Sequence, residues 1–280
     1  MITVAIQGIE GSFHEEAAHT LLGADTKIVS KKTFREVFEA VESDETTYGV
    51  SAVENSLYGS INPLYGLLET KKFWVTGEIF LKIEQYLIGH TLTDIKTLND
   101  VETRVISQAP ALAQVEQWLN TNLPLATRQE SQDTAESVKF VVGQKNSHLL
   151  AVASKAAAQM YRGAVIAGPI NDDPHNYTRF FLLSKSRQDT TDATRTSIIL
   201  TTGHGAGDLY RALGLFADAQ VNLSKLDSHP IASERRHYAF YVDFDLGIDD
   251  TRSTEIIEKL QKQGCKVQIL GSYKAASLPE

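Results

Sequence analysis

Short apolar runs alternate with amphipathic stretches along the first two thirds of the chain. Runs of four to eight apolar residues are typical of buried strands, and apolar positions three and four apart are typical of helices. The pattern predicts strands at residues 2–7, 27–29, 48–53, 105–107, 125–129 and 151–153, and helices at residues 14–22, 33–42, 63–70, 110–119, 134–142 and 155–160. Strands that alternate with helices in this way predict an α/β fold with a mainly parallel sheet.

The last third has a different pattern. Residues 184–195 are polar and almost free of apolar side chains, which is typical of a linker. Beyond them the predicted order is strand 196–202, helix 207–217, strand 221–228, strand 237–245, helix 254–263 and strand 266–270. This βαββαβ series favours a ferredoxin-like fold.

Composition narrows the classes of protein. The chain has 280 residues, enough for about two domains, with 42% hydrophobic and 22% charged residues. Its net charge is −8 and no run of basic residues exceeds two, which argues against a nucleic-acid partner. No apolar run approaches the roughly 20 residues of a membrane span. The single cysteine, Cys265, excludes an internal disulfide and disfavours a cysteine-based zinc site, so we expect a cytoplasmic protein.

The densest candidate chemistry lies in residues 176–181, Asn-Tyr-Thr-Arg-Phe-Phe. A neutral hydroxyl that can donate a proton stands beside a guanidinium that can grip a carboxylate, and two aromatic rings can exclude water. A small organic acid that loses a hydroxyl group requires all three. The alternative interpretation is a buried strand preceded by an ordinary turn.

Two polar turns follow predicted strands elsewhere. Gly8 and Gly11 permit close backbone approach just before a helix, although the dinucleotide-binding glycine spacing and the P-loop lysine are absent. Residues 53–62 place neutral donors just before the helix that begins near Pro63, where free backbone N–H groups favour anions. Both turns also fit simple helix capping.

Together these segments resemble the prephenate dehydratase family, in the form with a C-terminal ACT regulatory domain. The shared elements run in order along nearly the whole chain: Gly8-x-x-Gly11-Ser12-Phe13, Val53-Glu54-Asn55-Ser56-x-x-Gly59, Ser107 with Gln114, Asn176-x-Thr178-Arg179-Phe180, and an ACT-like C-terminal segment. The pair of Val-Glu-Asn-Ser and Thr-Arg-Phe is specific to this family.

The resemblance implies a catalytic domain at residues 1–184, built like a type II periplasmic binding protein with a cleft between two lobes. Lobe one is expected at about residues 1–77 and 165–184, and lobe two at about 78–164. Residues 185–195 are the expected linker and residues 196–280 the expected ACT domain. The implied reaction is the decarboxylating dehydration of prephenate to phenylpyruvate, on the route to L-phenylalanine.

The resemblance also implies roles for individual residues, with no cofactor and no metal. Thr178 is the expected donor to the departing hydroxyl, supported by Asn55, Ser107 and Gln114. We expect Arg179 to hold the side-chain carboxylate, directly or by fixing a turn; a salt bridge to Glu54 or Asp172 is the structural alternative. The other expected substrate-binding residues are Gly11, Ser12, Ser56, Thr134 and Phe180.

Some positions depart from the family pattern. Residues 107–110 read Ser-Gln-Ala-Pro where Ser-His-Pro-Gln is commoner, and Thr134 fits a helix N-cap as well as a carboxylate contact. His14 and His19 are five apart, too far around a helix to share a metal, so we interpret them as exposed helical polarity.

In the ACT-like segment, the residues that match the family's phenylalanine site are Gly207, Asp208, Leu209, Asp227, Ser228, His229 and Pro230. The resemblance implies that these turns bind L-phenylalanine between subunits of a homodimer or homotetramer. Three of the matched positions differ from the family, which leaves the affinity and identity of the effector open. A structural dimerisation domain is the alternative.

Two rival functions remain at this stage. Arogenate dehydratase acts on a substrate with an amino group in place of the side-chain ketone, and no residue separates the two. A non-catalytic two-lobe amino-acid sensor would not need Thr178.

Overall fold

The structure is a computed structural model that describes residues 2–70, 73–231 and 238–279. The chain divides into two compact units. The first unit contains Met1–Tyr65, Ile79–Phe180 and Leu278–Glu280, and the second contains Gly66–Glu78 and Phe181–Ser277. His237, the first residue of one predicted strand, lies outside the described residues.

A six-stranded sheet begins the fold, in the order β2-β1-β3-β11-β5, with β4 paired to β3. Strand β1 is parallel to both β2 and β3, as the alternating pattern predicts. The strands are β1 (Thr3–Gln7), β2 (Lys27–Lys31), β3 (Tyr48–Asn55), β4 (Gly59–Ser60), β5 (Trp74–Lys82) and β11 (Tyr177–Ser184). The part of this sheet in the first unit, with its helices, is lobe one.

A second sheet forms lobe two of the same unit, in the order β10-β6-β9-β7-β8. Its strands are β6 (Tyr86–Gly89), β7 (Arg104–Ser107), β8 (Thr127–Glu130), β9 (Leu149–Ala153) and β10 (Ala164–Ala167). Alternate side chains of β9 enter two cores: Leu150 and Val152 pack with Leu119, whereas Ala151 and Ala153 pack with Val138. Helices therefore cover both faces of this sheet.

The helices of the first unit begin where the caps predict. Ser12 caps α1 by accepting a hydrogen bond from the Glu15 N–H, and Asp133 caps α6 in the same way through the Glu136 N–H. The helices are α1 (Phe13–Leu22), α2 (Phe34–Glu42), α4 (Ala109–Ala113), α5 (Glu116–Asn122), α6 (Thr134–Gln144) and α7 (Lys155–Met160), with a 3₁₀ turn at Ile95–Leu98. The single helix predicted at 110–119 is thus two helices. Helix α3 (Asn62–Thr70) begins in the first unit, and its residues from Gly66 onward belong to the second.

The chain crosses between the lobes later than expected. It leaves the first sheet after Lys82 and enters the second at Tyr86, and it returns between Ala167 and Tyr177. These crossings lie several residues after the ones expected near 78 and 165, because β5 and β10 finish pairing within their own sheets first.

The second unit contains a four-stranded antiparallel sheet in the order β13-β14-β12-β15. Its elements are β12 (Arg195–Thr201), α8 (Asp208–Asp218), β13 (Leu223–Pro230), β14 (Tyr238–Phe244), α9 (Thr251–Lys262) and β15 (Lys266–Tyr273). Both helices contribute to one core, in which Phe216 of α8 and Leu260 of α9 are buried. The predicted βαββαβ order is the observed order, and no helix or strand lies between Ser184 and Arg195.

Candidate active site

A cavity of about 390 Å³ opens in the first unit and is lined by residues of both lobes. This volume suits a small organic molecule. Six residues predicted for the site line it: Ser12, Asn55, Gln114, Thr134, Thr178 and Phe180. Residues from five separate stretches of sequence therefore meet at one cavity.

The orientation of the Asn55 amide is fixed by the backbone. Its Oδ1 accepts hydrogen bonds from the N–H groups of Leu57 (3.0 Å) and Tyr58 (2.9 Å). Its Nδ2 must therefore be the atom that donates to Thr178 Oγ1, at 3.0 Å. Because Thr178 Oγ1 accepts this bond, its own hydrogen is available to a molecule in the cavity.

The four other predicted residues, Gly11, Ser56, Ser107 and Arg179, lie outside the cavity lining. Ser107 is fully buried and donates its hydroxyl hydrogen to the Val152 carbonyl at 2.6 Å, so in this arrangement its hydroxyl hydrogen is already used, and the supporting role expected for it beside Thr178 stays a prediction. The Ser56 hydroxyl donates to the His175 carbonyl and accepts from the Tyr177 N–H, at 3.0 and 2.9 Å. This pair of bonds ties the turn after β3 to the segment that carries Thr178.

Gly11 serves the contact between the lobes rather than the cavity. Its φ is +86°, and a Cβ at this position would lie 3.1 Å from the Ala157 Cα. Its carbonyl accepts a hydrogen bond from the Ser154 hydroxyl at 3.0 Å. A side chain here would both strain the backbone and push helix α7 away.

Arg179 is 3% exposed and does not line the cavity. Successive side chains of a strand point to opposite faces, so Thr178 and Phe180 share the cavity face of β11 and Arg179 lies on the other. Its Nη1 is 3.9 Å from Glu54 Oε2, and its guanidinium lies 5.7 Å from the centre of the Phe80 ring. Arg179 therefore does not reach the cavity in this arrangement, and the Glu54 ion pair of the structural alternative is observed. A role in holding the side-chain carboxylate, directly or by fixing a turn, stays a prediction. Asp172, the other partner considered, caps α5 through the N–H groups of Gln117 and Trp118.

His14 is a cavity residue that the sequence interpretation missed. It is half-buried, it lines the cavity, and its Nε2 accepts a hydrogen bond from the Ala52 N–H at 3.3 Å. Burial lowers its pKa from 6.5 to about 4, so the ring is neutral near pH 7. The prediction of exposed helical polarity is wrong for His14, because the N-terminal end of α1 faces the cavity.

Two further lining residues were also missed. Gln85 lies in the crossover between the lobes and is 2% exposed; its Nε2 donates to Gln114 Oε1 at 3.0 Å. Asp133 reaches the cavity from the start of α6, and burial raises the pKa of its carboxyl. The sequence gave no sign of either residue in the site, because Gln85 lies in a strand-like stretch without a turn signal and Asp133 has the pattern of a helix cap.

The lining contains two carboxylates and no lysine or arginine among its described residues. The carboxylates belong to Glu130 and Asp133. A bound organic acid must therefore be held by neutral groups, such as the side-chain amides of Asn55 and Gln114 and the N–H groups at helix starts. No group of three or more His, Cys, Asp and Glu side chains in the described stretches is arranged to hold a metal ion. Each described helix is too short or too polar to cross a lipid bilayer.

A second cavity of about 350 Å³ lies in the second unit, at the start of α8. Gly207, Asp208 and Leu209 line it, as does Phe240. The Asp208 carboxylate accepts from the Gly205 N–H at 2.7 Å and pairs with Arg211, and these bonds lower its pKa.

The other four predicted effector residues, Asp227, Ser228, His229 and Pro230, do not line this cavity. They belong to β13 and pair with β14, so the prediction of a turn there is wrong. His229 Nε2 lies 3.1 Å from Asp227 Oδ2, and the His229 ring packs edge-on against Tyr241.

Comparison with protein families gives a match to the family described as prephenate dehydratase, over residues 4–188. The chain is 34% identical to arogenate dehydratase 2 of Petunia hybrida, over 99% of this chain and 72% of that protein. It is 31% identical to a bifunctional chorismate mutase/prephenate dehydratase of Aquifex aeolicus (strain VF5), over 100% of this chain and 75% of that protein.

Solved structures give the same picture of the fold. The prephenate dehydratase of Staphylococcus aureus subsp. aureus Mu50 superposes with a TM-score of 0.83 at 26% identity, over 98% of this chain and all of that one. A prephenate dehydratase of Arthrobacter aurescens, solved in complex with L-Phe, gives a TM-score of 0.87 at 24% identity, over 98% of this chain and 90% of that one. Both span the two units of this chain.

Proposed function

This chain belongs to the prephenate dehydratase family, a family of hydro-lyases, and we propose that the cavity of its first unit is where prephenate loses water and CO2 to give phenylpyruvate. The observation that carries the proposal is the Thr178 hydroxyl, which accepts from Asn55 and has its hydrogen free for the substrate. A hydroxyl is a poor leaving group unless it receives a proton or a strong hydrogen bond as its C–O bond breaks. In this proposal Thr178 is the neutral donor to the departing oxygen.

In the proposed step, the C–O bond at the ring carbon breaks and its electron pair leaves with the oxygen. Thr178 gives that oxygen a proton, so that it departs as water, and regains a proton from solvent. The bond between the ring and its carboxylate breaks at the same time and leaves its electron pair in the ring, which becomes aromatic. Aromatisation supplies the driving force, so no cofactor is invoked.

Arg179 acts in this proposal as a positioning residue. Its ion pair with Glu54 joins β11 to the end of β3, directly before the Asn55 that holds Thr178. Gln114 and Thr134 are the proposed contacts of the substrate carboxylates from lobe two, because both line the cavity and carry neutral donors.

Arogenate is a second candidate substrate. It carries an ammonium group in place of the side-chain ketone, and Asp133 and Glu130 supply carboxylates in a cavity wall whose described residues include no lysine or arginine. The 34% identity to a Petunia arogenate dehydratase supports the same candidate.

We further propose that the second unit is an ACT domain that binds L-phenylalanine and inhibits the enzyme through a homodimer or homotetramer. The cavity at Gly207–Leu209 supports an effector site, and the βαββαβ order supports the domain type. The proposed compartment is the cytoplasm, since a chain with one cysteine gains no internal disulfide from an oxidising one.

One assay tests these proposals together. The purified protein is given prephenate or arogenate, and the product is followed by ultraviolet absorbance, with and without L-phenylalanine. We expect phenylpyruvate from prephenate and a lower rate when L-phenylalanine is present. No turnover of either substrate would contradict the proposed function, whereas turnover that L-phenylalanine leaves unchanged, with no binding by calorimetry at millimolar concentration, would contradict only the regulation.

A further inference from the structure

His14 is the second residue of helix α1 and stands in the cavity wall near the proposed donor. Its ring packs edge-on against Phe180, with centres 5.1 Å apart and an interplanar angle of 86°. It also lies 5.8 Å from the ring of Phe34. Phe180 and Phe34 line the same cavity as His14 and Thr178, so this part of the wall is largely aromatic.

The Ala52 N–H determines which nitrogen of His14 carries the hydrogen. It donates to Nε2 at 3.3 Å, and a ring nitrogen that accepts a hydrogen bond carries no hydrogen itself. In the neutral ring the hydrogen is therefore on Nδ1. Nδ1 has no hydrogen-bond partner among the described residues and is not a buried atom. It is an unoccupied neutral donor in the cavity wall.

Three features keep this donor neutral. Burial disfavours the charged ring, and the position in the first turn of α1 places it near the positive end of the helix dipole. A proton on Nε2 would also face the Ala52 N–H directly.

Resting on the proposed function, we propose that His14 Nδ1–H donates a hydrogen bond to the ring carboxylate of prephenate, the group that leaves as CO2. Phe180 follows Thr178 by two residues on the same face of β11, a separation of about 7 Å. In prephenate the hydroxyl and the ring carboxylate stand at opposite ends of the six-membered ring. Phe180 is therefore about one ring's length from Thr178 along the strand, and His14 packs against Phe180 in the same cavity wall.

A neutral donor suits a carboxylate that is about to lose its charge. A cation would stabilise the ground-state carboxylate more than the transition state, and so would oppose its departure. A neutral N–H orients the group at a smaller cost, and the surrounding aromatic rings exclude water from it. His14 is accordingly a substrate-binding residue that fixes orientation.

Two amide variants test which nitrogen matters. In His14→Asn the side-chain amide can place an N–H near the position of Nδ1, whereas in His14→Gln the longer amide reaches towards the position of Nε2. We expect His14→Gln, and His14→Phe, to lower kcat/KM for prephenate by about tenfold, the effect of one lost hydrogen bond to a charged group. His14→Asn should retain most of the activity. Equal losses in the Asn and Gln variants, or wild-type kinetics in the Gln and Phe variants, would overturn the assignment.

Inhibition by the product shows which of the two substrate carboxylates His14 contacts. Phenylpyruvate keeps the side-chain carboxylate and lacks the ring carboxylate. We therefore expect its inhibition constant to be the same for wild type and for His14→Gln. If inhibition weakens in parallel with kcat/KM, His14 does not act on the ring carboxylate. Unfolding temperatures of all the variants identify any loss that comes from misfolding, and the Asn and Gln pair remains decisive if the Phe variant is unstable.

Activity of the wild-type protein separates a failure of the proposed function from a failure of the proposed role of His14. A wild-type protein that fails to convert prephenate overturns both the proposed function and the role of His14. A wild-type protein that converts prephenate, with a Gln variant that does so equally well, overturns the role of His14 alone.

Discussion

A polar atom in the cavity can bind a ligand only if its hydrogen-bonding capacity is not already used within the protein. Two backbone N–H groups occupy Asn55 Oδ1, which turns Nδ2 towards Thr178. Gln85 occupies Gln114 Oε1, which leaves the Gln114 amide hydrogens as the groups available to a ligand. Backbone and neighbouring side chains thus decide in advance which ends of these amides are donors.

The Gln85–Gln114 pair gives a prediction about coupling. If Gln85 acts by orienting Gln114, Gln85→Leu should lower kcat/KM for prephenate clearly in the wild-type background and by less than twofold in Gln114→Leu. Residues that share one hydrogen bond give such non-additive effects. Steady-state kinetics of the two single variants and the double variant measure the coupling, and purely additive losses would contradict it.

The lowered pKa of His14 gives a prediction about stability. The unfolded chain takes up a proton on this residue near pH 6.5, whereas the folded protein resists protonation until about pH 4. The free energy of unfolding should therefore fall as the pH drops from 6.5 towards 4, and His14→Phe should lose this component. Urea unfolding of both proteins across that range measures the difference, and curves that stay parallel would contradict the prediction.

At the level of elements, strand β11 places the side chains of residues 178–180 alternately on its two faces. Thr178 and Phe180 face the cavity, whereas Arg179 is buried on the opposite face beside Glu54 and Phe80. The sequence indicated that the segment is functional and gave a buried strand as the alternative interpretation; residues 177–184 do form a strand. The sequence could not assign the faces, because all of residues 178–183 are buried and no alternation of polar and apolar residues marks the cavity side.

Other elements were predicted correctly where the signal lies within a few neighbouring residues, and missed where it depends on contacts in the folded protein. Apolar periodicity and caps predicted α1, α6 and the βαββαβ order, because these signals lie within a few residues of one another. The break between α4 and α5 carries no such local signal, and neither does the continuation of β13 through His229 to Pro230, where a turn was expected. The family resemblance assigns Ser107 to the site. Its hydroxyl donates a hydrogen bond to the Val152 carbonyl, and this contact forms only when β7 and β9 pair in the folded sheet.

The buried position of Arg179 on β11 gives a prediction about protein stability and about kcat. Arg179→Lys keeps the charge but not the planar fork, in a site that is 3% exposed. We expect it to destabilise the protein by about 1–3 kcal/mol, and to lower kcat more than it raises KM, because Thr178 is displaced while the substrate contacts remain. Denaturant unfolding and steady-state kinetics test both, and a large rise in KM at unchanged kcat would restore direct substrate contact.

At the level of the whole molecule, charge works against the substrate. The chain carries a net charge of −8 and prephenate carries two negative charges, and the lining residues described for the cavity include no lysine or arginine. Affinity must then come from oriented neutral donors and apolar contact, acting over short distances.

This charge balance predicts a dependence on salt. Raising the ionic strength screens the repulsion between protein and substrate, so kcat/KM for prephenate should rise by a few-fold between about 10 and 150 mM salt. Arogenate, whose ammonium reduces its net charge to −1, is the matched control and should respond less. A rate that falls with salt would indicate a cation in the site.

The central claim is that the Thr178 hydroxyl gives its hydrogen to the departing oxygen, and one pair of variants tests it most directly. Thr178→Val preserves shape and removes the donor, whereas Thr178→Ser keeps it. We predict that kcat for prephenate falls by roughly 100-fold or more in the Val variant and stays within about tenfold of wild type in the Ser variant. A folded Val variant that turns over prephenate at the wild-type rate would contradict the account.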